Sequence, residues 1–426
     1  MTSKAAQWLT QRLTRRAFPI IAVVVLIAIG MAGTIWGPLY YHEKAWAVPD
    51  DLWATLVAAQ RLVHLDLAGL YTAPTTLVSF PGTAVILVPV ALLMDAAGLP
   101  IQAGNQGVHP TGWLLLAPLE TFLASVAVFA ADALAERQGA GKLKRFLLAA
   151  ASATALWNVS VRWGHPEDAV ATGLVLYAAL AISDERPVRA AWLAGAAVAV
   201  QPLALLAFPV IAMAAVEPRR LPGFVTRAAI LPVAAVAAAA AANWTATFHA
   251  ITNQPNDPTI DHPTPWIYLS QFAPHLSGGS VASGPARALA VLVATGCAVA
   301  TWRRWQAARL AGRWSPEDLA ALLWWIAVAL ALRSVFEPVM VSYYVWPPLA
   351  AALAAASRSW LRLLPTTVAT TVLTFLSQAS WRDPWAWWTP MVAMLALTLL
   401  VSRPARPPLT QVLAEPGEQF VVDSAP

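Results

Sequence analysis

FLLAAASATALW (146–157) and VRWGHPEDAVATGLVLYAAL (161–180) stand almost back to back in this chain. Both are apolar through most of their length, yet the joint between them holds Arg162, His165, Glu167 and Asp168. An ionised group at the middle of a bilayer costs roughly 2.5–3.5 kcal/mol on insertion scales. Three or four together outweigh what a short span gains by inserting. If the two runs are membrane helices, the joint belongs at an interface or in a water-filled cavity. Composition says that they are: of 426 residues, 58% are hydrophobic and only 12% charged. Soluble domains carry roughly twice that charge. The chain reads as an all-α polytopic membrane protein.

That reading removes the nucleic-acid interpretation of the +5 net charge, because the placement of basic residues matters more than their sum. The single cysteine, Cys297, sits inside an apolar run, so neither an internal disulfide nor a thiolate metal site is available. The 21 tryptophans suit membrane interfaces and sugar-facing surfaces equally.

A helical span needs roughly 20 apolar residues. About twelve candidates follow: 18–40, 113–135, 144–160, 168–183, 188–201, 203–216, 224–245, 286–302, 318–333, 342–356, 361–377 and 385–402. Residues 1–17 form a basic cytoplasmic N-terminus ahead of a first transmembrane helix rather than a cleaved signal peptide. Basic residues recur at alternate joints, among them Lys142/Lys144/Arg145, Arg219/Arg220, Arg303/Arg304 and Arg358/Arg362. Those joints are expected in the cytoplasm, and both termini with them. The expected location is the plasma (inner) membrane. No internal repeat divides 18–402, and the proline-rich tail 403–426 is expected to be disordered.

The first outward segment, 41–112, is long. Within it, Leu52, Trp53, Leu56, Val57, Ala59 and Val63 fall on one helical face and Thr55, Gln60, Arg61 and His64 on the other. Asp50 and Asp51 open this helix, where aspartate is also a common cap. The run 77–98 contains Pro81, Gly82 and Pro89, and is expected to lie in the outer interface rather than to cross.

The joint at 162–168 has an internal control. Ser315-Pro316-Glu317-Asp318 repeats Pro-Glu-Asp at an expected cytoplasmic joint, and proline followed by carboxylates is simply a good helix start. Glu167 and Asp168 are therefore helix-start residues or substrate ligands. Arg162 and His165 have no counterpart in the control. They are anion-holding groups or headgroup contacts. A second outward joint, RSVFEPVMVSYY (333–344), offers Arg333, Tyr343 and Tyr344, with an Arg333–Glu337 helical ion pair as its plain explanation. The proline-rich loop 247–285 reads as lid-like and contributes Asn253, Asp257, Asp261 and His262. No spacing is metal-specific and no cofactor motif occurs. The sequence neither requires nor forbids a divalent ion.

Taken in order, AVPDDLWATLVAAQRLVHLDLAGLY (47–71), VSFPGTAVILVPVALL (78–93), WGHPEDAVATGLVLYAAL (163–180), WLAGAAVAVQPLALLAFPV (192–210), TNQPNDPTIDHPTPW (252–266) and FEPVMVSYYVWPPLA (336–350) resemble the GT-C superfamily of integral-membrane glycosyltransferases. The likeness is to the actinobacterial branch related to polyprenyl-phosphomannose-dependent mannosyltransferases. It implies a catalytic aspartate at the head of the first outward helix, Asp51 with Asp50 second, and a sugar donor carried on polyprenyl phosphate. It also implies inverting transfer, probable mannose chemistry being its usual form, to a glycolipid or glycan acceptor among membrane lipids. Arg162, His165 and Arg333 then become donor-phosphate ligands, and Glu167, Asp168, Asn253, His262, Tyr343 and Tyr344 substrate ligands. Four positions depart from the family pattern. Gly82 follows Phe80-Pro81, where relatives often show Tyr-Pro-Pro, and Gln201 replaces a common lysine. His165 interrupts a Gly-Gln pair, and Tyr343 stands in place of histidine. Two other classes fit outward charges around a membrane cavity: a carrier or lipid flippase, and a non-catalytic GT-C-like assembly partner. Paired half-repeats, expected of a carrier, are not found.

Overall fold

The computed structural model describes residues 2–41, 50–72, 77, 79–99, 101, 113–157, 159–160, 163–252, 261–270, 285–310, 314–381 and 383–405. Proline sets many of the helix boundaries. It occupies the first turn of α4 (Pro81–Val85), α9 (Pro166–Ser183), α10 (Pro187–Val200), α16 (Pro316–Phe336) and α19 (Pro384–Ser402). There its missing N–H is no loss and its fixed φ already suits the helix. The others, in chain order, are α1 (Thr2–Arg15), α2 (Ala17–Tyr41), α3 (Asp50–Val63), α5 (Val88–Ala96), α6 (Trp113–Ala124), α7 (Val126–Arg137) and α8 (Lys142–Trp157). After α10 come α11 (Phe208–Ala215), α12 (Leu221–Ala242), α13 (Trp244–Thr252), α14 (Ile267–Ser270) and α15 (Ala286–Leu310), then α17 (Trp346–Ala356) and α18 (Trp360–Leu376). Among the described residues the only sheet is a two-residue ladder in which β1 (His262–Pro263) pairs antiparallel with β2 (Val339–Met340).

This is an all-α membrane protein. Among the described residues, five helical stretches are long and apolar enough to cross a membrane: Leu115–Arg137, Pro218–Ala242, Ala286–Leu310, Pro316–Phe336 and Pro384–Ser402. Ala17–Ile29, Pro187–Val200 and Trp360–Leu376 are shorter and apolar. Several expected segments take a different form. Residues 77–98 become two short helices, α4 and α5, instead of one. Residues 203–216 become a short 3-10 turn (Pro202–Leu206) followed by the eight-residue α11. Residues 342–356 begin as another 3-10 turn (Ser342–Val345), because Pro347 and Pro348 confine the α-helix to the stretch from Trp346 onward. The expected lid loop starts late, since α13 carries the helix to Thr252. Residues 406–426 of the tail lie outside the described residues.

Small side chains govern the packing. α10 lies between α9 and α12, with Ala178, Ala179, Ala190, Ala191, Ala194 and Ala197 buried along the seam. A Cβ on Gly195 would overlap the Ala228 carbonyl, and one on Gly173 would strike Val126 and Ala127. Backbones come this close only where side chains are minimal.

α3, α4 and α5 bury a cluster of their own, built from Leu52, Leu56, Leu70, Leu87, Val90 and Met94. It closes against Leu116 and Ala117 near the start of α6 and Ala239 near the end of α12. The amphipathic reading of α3 accounts for this: Leu52 and Leu56 are buried while Gln60 and Arg61 stay at the margin. Thr55, expected on the polar face, is buried as well, and its hydroxyl is satisfied by the Asp51 carbonyl at 2.8 Å. The opposite end of the bundle is basic. There Asp132 of α7 accepts from Arg16 and Arg145, and Glu136 pairs with Arg15 and Arg16.

Candidate active site

The charged joint before α9 folds over the head of α3. Gly164 takes the left-handed conformation (φ 68°), which a side chain disfavours. The chain then enters α9 through Pro166, with the His165 N–H returning to the Val159 carbonyl at 3.0 Å. This turn leaves the His165 ring buried between two carboxylates. Its Nδ1 is 2.7 Å from Glu167 Oε1, and its Nε2 is 3.3 Å from Asp51 Oδ2. Glu167 is buried, whereas the Asp51 side chain is 58% exposed. One carboxylate is thus internal and the other faces the surroundings.

The electrostatics follow. Burial opposes a charged imidazole, but Glu167 and Asp51 outweigh it, and His165 titrates well above the ordinary value of 6.5. The hydrogen bond from His165 in turn holds the Asp51 carboxyl below its ordinary 3.8, burial working the other way. At neutral pH the set is carboxylate–imidazolium–carboxylate.

Tyr343 covers the ring. It stacks on His165 at 4.0 Å between centroids, 25° from parallel, and packs edge-on against Tyr344 at 4.9 Å. The Arg333 guanidinium lies 3.3 Å above the Tyr344 ring centroid. The expected Arg333–Glu337 pair is not the arrangement. Glu337 instead receives Arg287 of α15 at 2.6 Å, because the chain leaves helical geometry at Glu337 and turns its carboxylate away from α16. That frees Arg333 to lie over Tyr344. Asp168 is buried and accepts from Gln201 at 2.5 Å, with Arg333 within electrostatic reach. Next to Gln201, Thr83 of α4 donates to the Val200 carbonyl at 2.5 Å, and a Cβ on Gly82 would overlap the Ala199 carbonyl.

The tripeptide control now separates the two joints. Ser315 caps α16 by accepting from the Asp318 N–H, Asp318 also meets Arg304, and Glu317 pairs with Arg358. These are ordinary helix-start contacts. Before α9 the cap residue is His165, which makes no side-chain cap bond, and Glu167 and Asp168 point to an imidazole and an amide.

Asp51, His165, Glu167, Asp168, Arg333, Tyr343 and Tyr344 therefore meet in one region. His262 is held elsewhere: it stacks on Trp387 of α19 at 4.2 Å, and its Nδ1 is 2.9 Å from the Trp381 carbonyl. Thr264 and Trp266 bind the Glu337 and Val335 carbonyls, which fastens 261–270 to the second joint. Asp50 opens α3, but its side chain lies outside the described residues, as do Arg162 and Asn253.

No family model matches this chain, and no curated protein matches it.

Sequence reasoning passed over Glu120. It lies in α6, fully buried, with both carboxyl oxygens unpartnered among the described residues and with Glu167 and His165 as its charged neighbours. The signal was present: a lone carboxyl inside WLLLAPLETFLA (113–124) is an intramembrane ionisable group, by default a functional one. Among the described residues no three His, Cys, Asp or Glu side chains converge on one point as metal ligands. Asp51 and Glu167 approach His165 from opposite ring nitrogens. What the site offers is a half-exposed carboxylate held ionised by a buried cation, with an arginine close by. That is equipment for taking a proton from a hydroxyl and for holding an anion.

Proposed function

We propose that this protein transfers a sugar from a polyprenyl-phosphate donor to a hydroxyl of a cell-envelope glycolipid or glycan, with inversion. Asp51 is the base. The observation that carries this reading is the Asp51–His165 ion pair at the head of α3, which leaves the other Asp51 oxygen free for an acceptor. The acceptor hydroxyl gives its proton to Asp51 as its oxygen attacks the anomeric carbon, and the bond to the lipid phosphate breaks. The leaving phosphate needs charge stabilisation rather than an acid, and Arg333, with Arg162, supplies it. His165 acts one step back, keeping Asp51 ionised. General-base help is worth roughly 10²–10⁴-fold; positioning and electrostatics supply the rest.

The resemblance to GT-C glycosyltransferases supports this assignment and points to mannose as the sugar. Three positions that depart from the family pattern, His165, Tyr343 and Gln201, fall in or beside the same cluster, and Gly82 packs next to Gln201. Such a grouping suits a donor of altered shape. The alternation of basic joints supports about twelve spans, with both termini cytoplasmic and the site extracytoplasmic.

The test uses the full chain in nanodiscs with polyprenyl-phosphomannose labelled in the sugar and an extract of envelope lipids as acceptor. It is joined to a comparison of envelope glycans from cells with and without the protein. Labelled product and one missing sugar are expected. No transfer from any polyprenyl-phosphate sugar, with an unchanged envelope, overturns the proposal.

A further inference from the structure

Glu120 has no role in the transfer outlined above, yet it is the most confined carboxyl near the site. It is 0% exposed, neither oxygen has a hydrogen-bond partner among the described residues, and its charged neighbours are Glu167 and His165. The elements packed on α6 bring nothing else to compensate it. α2 is uncharged over 17–32, and Asp95 of α5 turns to Gln60 and His64. The charges of α7 and α8 meet at the other end of the bundle, where Arg145 binds Asp132. Beyond Glu167 stands Asp168, with Arg333 on its far side; beyond His165 stands Asp51.

Two carboxyls in a water-excluded place do not both ionise, since each negative charge raises the cost of the other. One imidazolium between Glu167 and Asp51 balances one charge on its inner side, not two. We propose that Glu120 and Glu167 form a carboxyl pair holding a single proton between them behind His165, a positioning device that keeps the ring turned toward Asp51. Either carboxyl can carry the pair's one negative charge. Glu167 carries it in the geometry seen here, through its 2.7 Å contact with Nδ1. Glu120 takes it over when Glu167 is neutral. No chemistry on a substrate is required, so the inference stands apart from the glycosyltransferase assignment.

The distinguishing property is redundancy. The experiment follows the ring-nitrogen NMR of histidine-labelled protein in nanodiscs across pH, with the His165 signal identified by its loss in His165→Asn. Glu120→Gln and Glu167→Gln singly should each leave the His165 midpoint close to that of the unaltered protein. The double variant should lower it by about two units, a roughly hundredfold loss of proton affinity. If Glu167→Gln alone falls as far as the double variant, Glu120 carries no share of the charge and the proposal is overturned. If the double variant does not move, Asp51 alone holds the imidazolium and the proposal is again overturned. Should the double glutamine variant fail to fold, Glu120→Met with Glu167→Gln makes the same comparison.

Discussion

Nε2 of His165 lies 3.3 Å from Oδ2 of Asp51, which joins the head of α9 to the head of α3. The contact links the amphipathic segment after α2 to the main bundle at a point where one partner is buried and the other half-exposed.

Asp51→Asn tests the base directly. Asparagine keeps the volume and can still begin a helix, so thermal unfolding should hardly change. Donor binding should persist, because a base acts on the acceptor and in the transition state. Transfer should fall roughly a hundredfold or more. Asp50→Asn should cost far less. Equal, near-normal transfer in both variants would leave Asp51 as a helix-start residue.

The pH profile follows from the same pair. The Asp51 pKa is lowered, so its share of stability is complete above its unfolded value of 3.8 and is lost as pH falls through the folded value. The His165 pKa is raised, so its share is complete below 6.5 and is lost as pH rises through the folded value. The ion pair is whole between those limits. The alkaline limb of the transfer profile should therefore lie above 6.5, and His165→Gln should abolish that limb. An alkaline limb that survives His165→Gln would assign it to another group.

Gly82→Ala should loosen the contact between α4 and α10, since the new methyl meets the Ala199 carbonyl. A cost of about 1–3 kcal/mol is expected from overpacking, read as a lower unfolding temperature in detergent. Thr83→Val removes the donor to the Val200 carbonyl and should cost a similar amount. Unchanged unfolding in both would mean that α4 is not fastened there.

Arg333→Ala should weaken donor-lipid binding about tenfold or more, because a charge-assisted phosphate contact is worth roughly 1.5–3 kcal/mol. Insertion and expression should stay near normal. Arg333→Lys keeps the charge but loses the planar group lying over Tyr344, and should recover part of the affinity. Undiminished binding in the alanine variant would remove Arg333 from the donor site.

Local pattern carried much of this protein. Proline and acidic residues at helix starts, the two-faced run behind Asp51 and the apolar stretches are all short-range properties. Propensity and partition energy act on neighbouring residues, so the helical membrane character and the charged joints were legible from the chain alone. The Pro-Glu-Asp repeat marks where that legibility stops. Locally the two copies are the same helix start, yet Glu317 pairs with Arg358 while Glu167 holds an imidazole. Only packing decided this, by bringing α3 and α6 to the head of α9. The same holds for Glu337, which turned to Arg287 across the bundle, and for Glu120, an isolated letter in an apolar run until α9 folded against it. Which charge faces which is settled by contacts between residues far apart in the chain, and no local period encodes those.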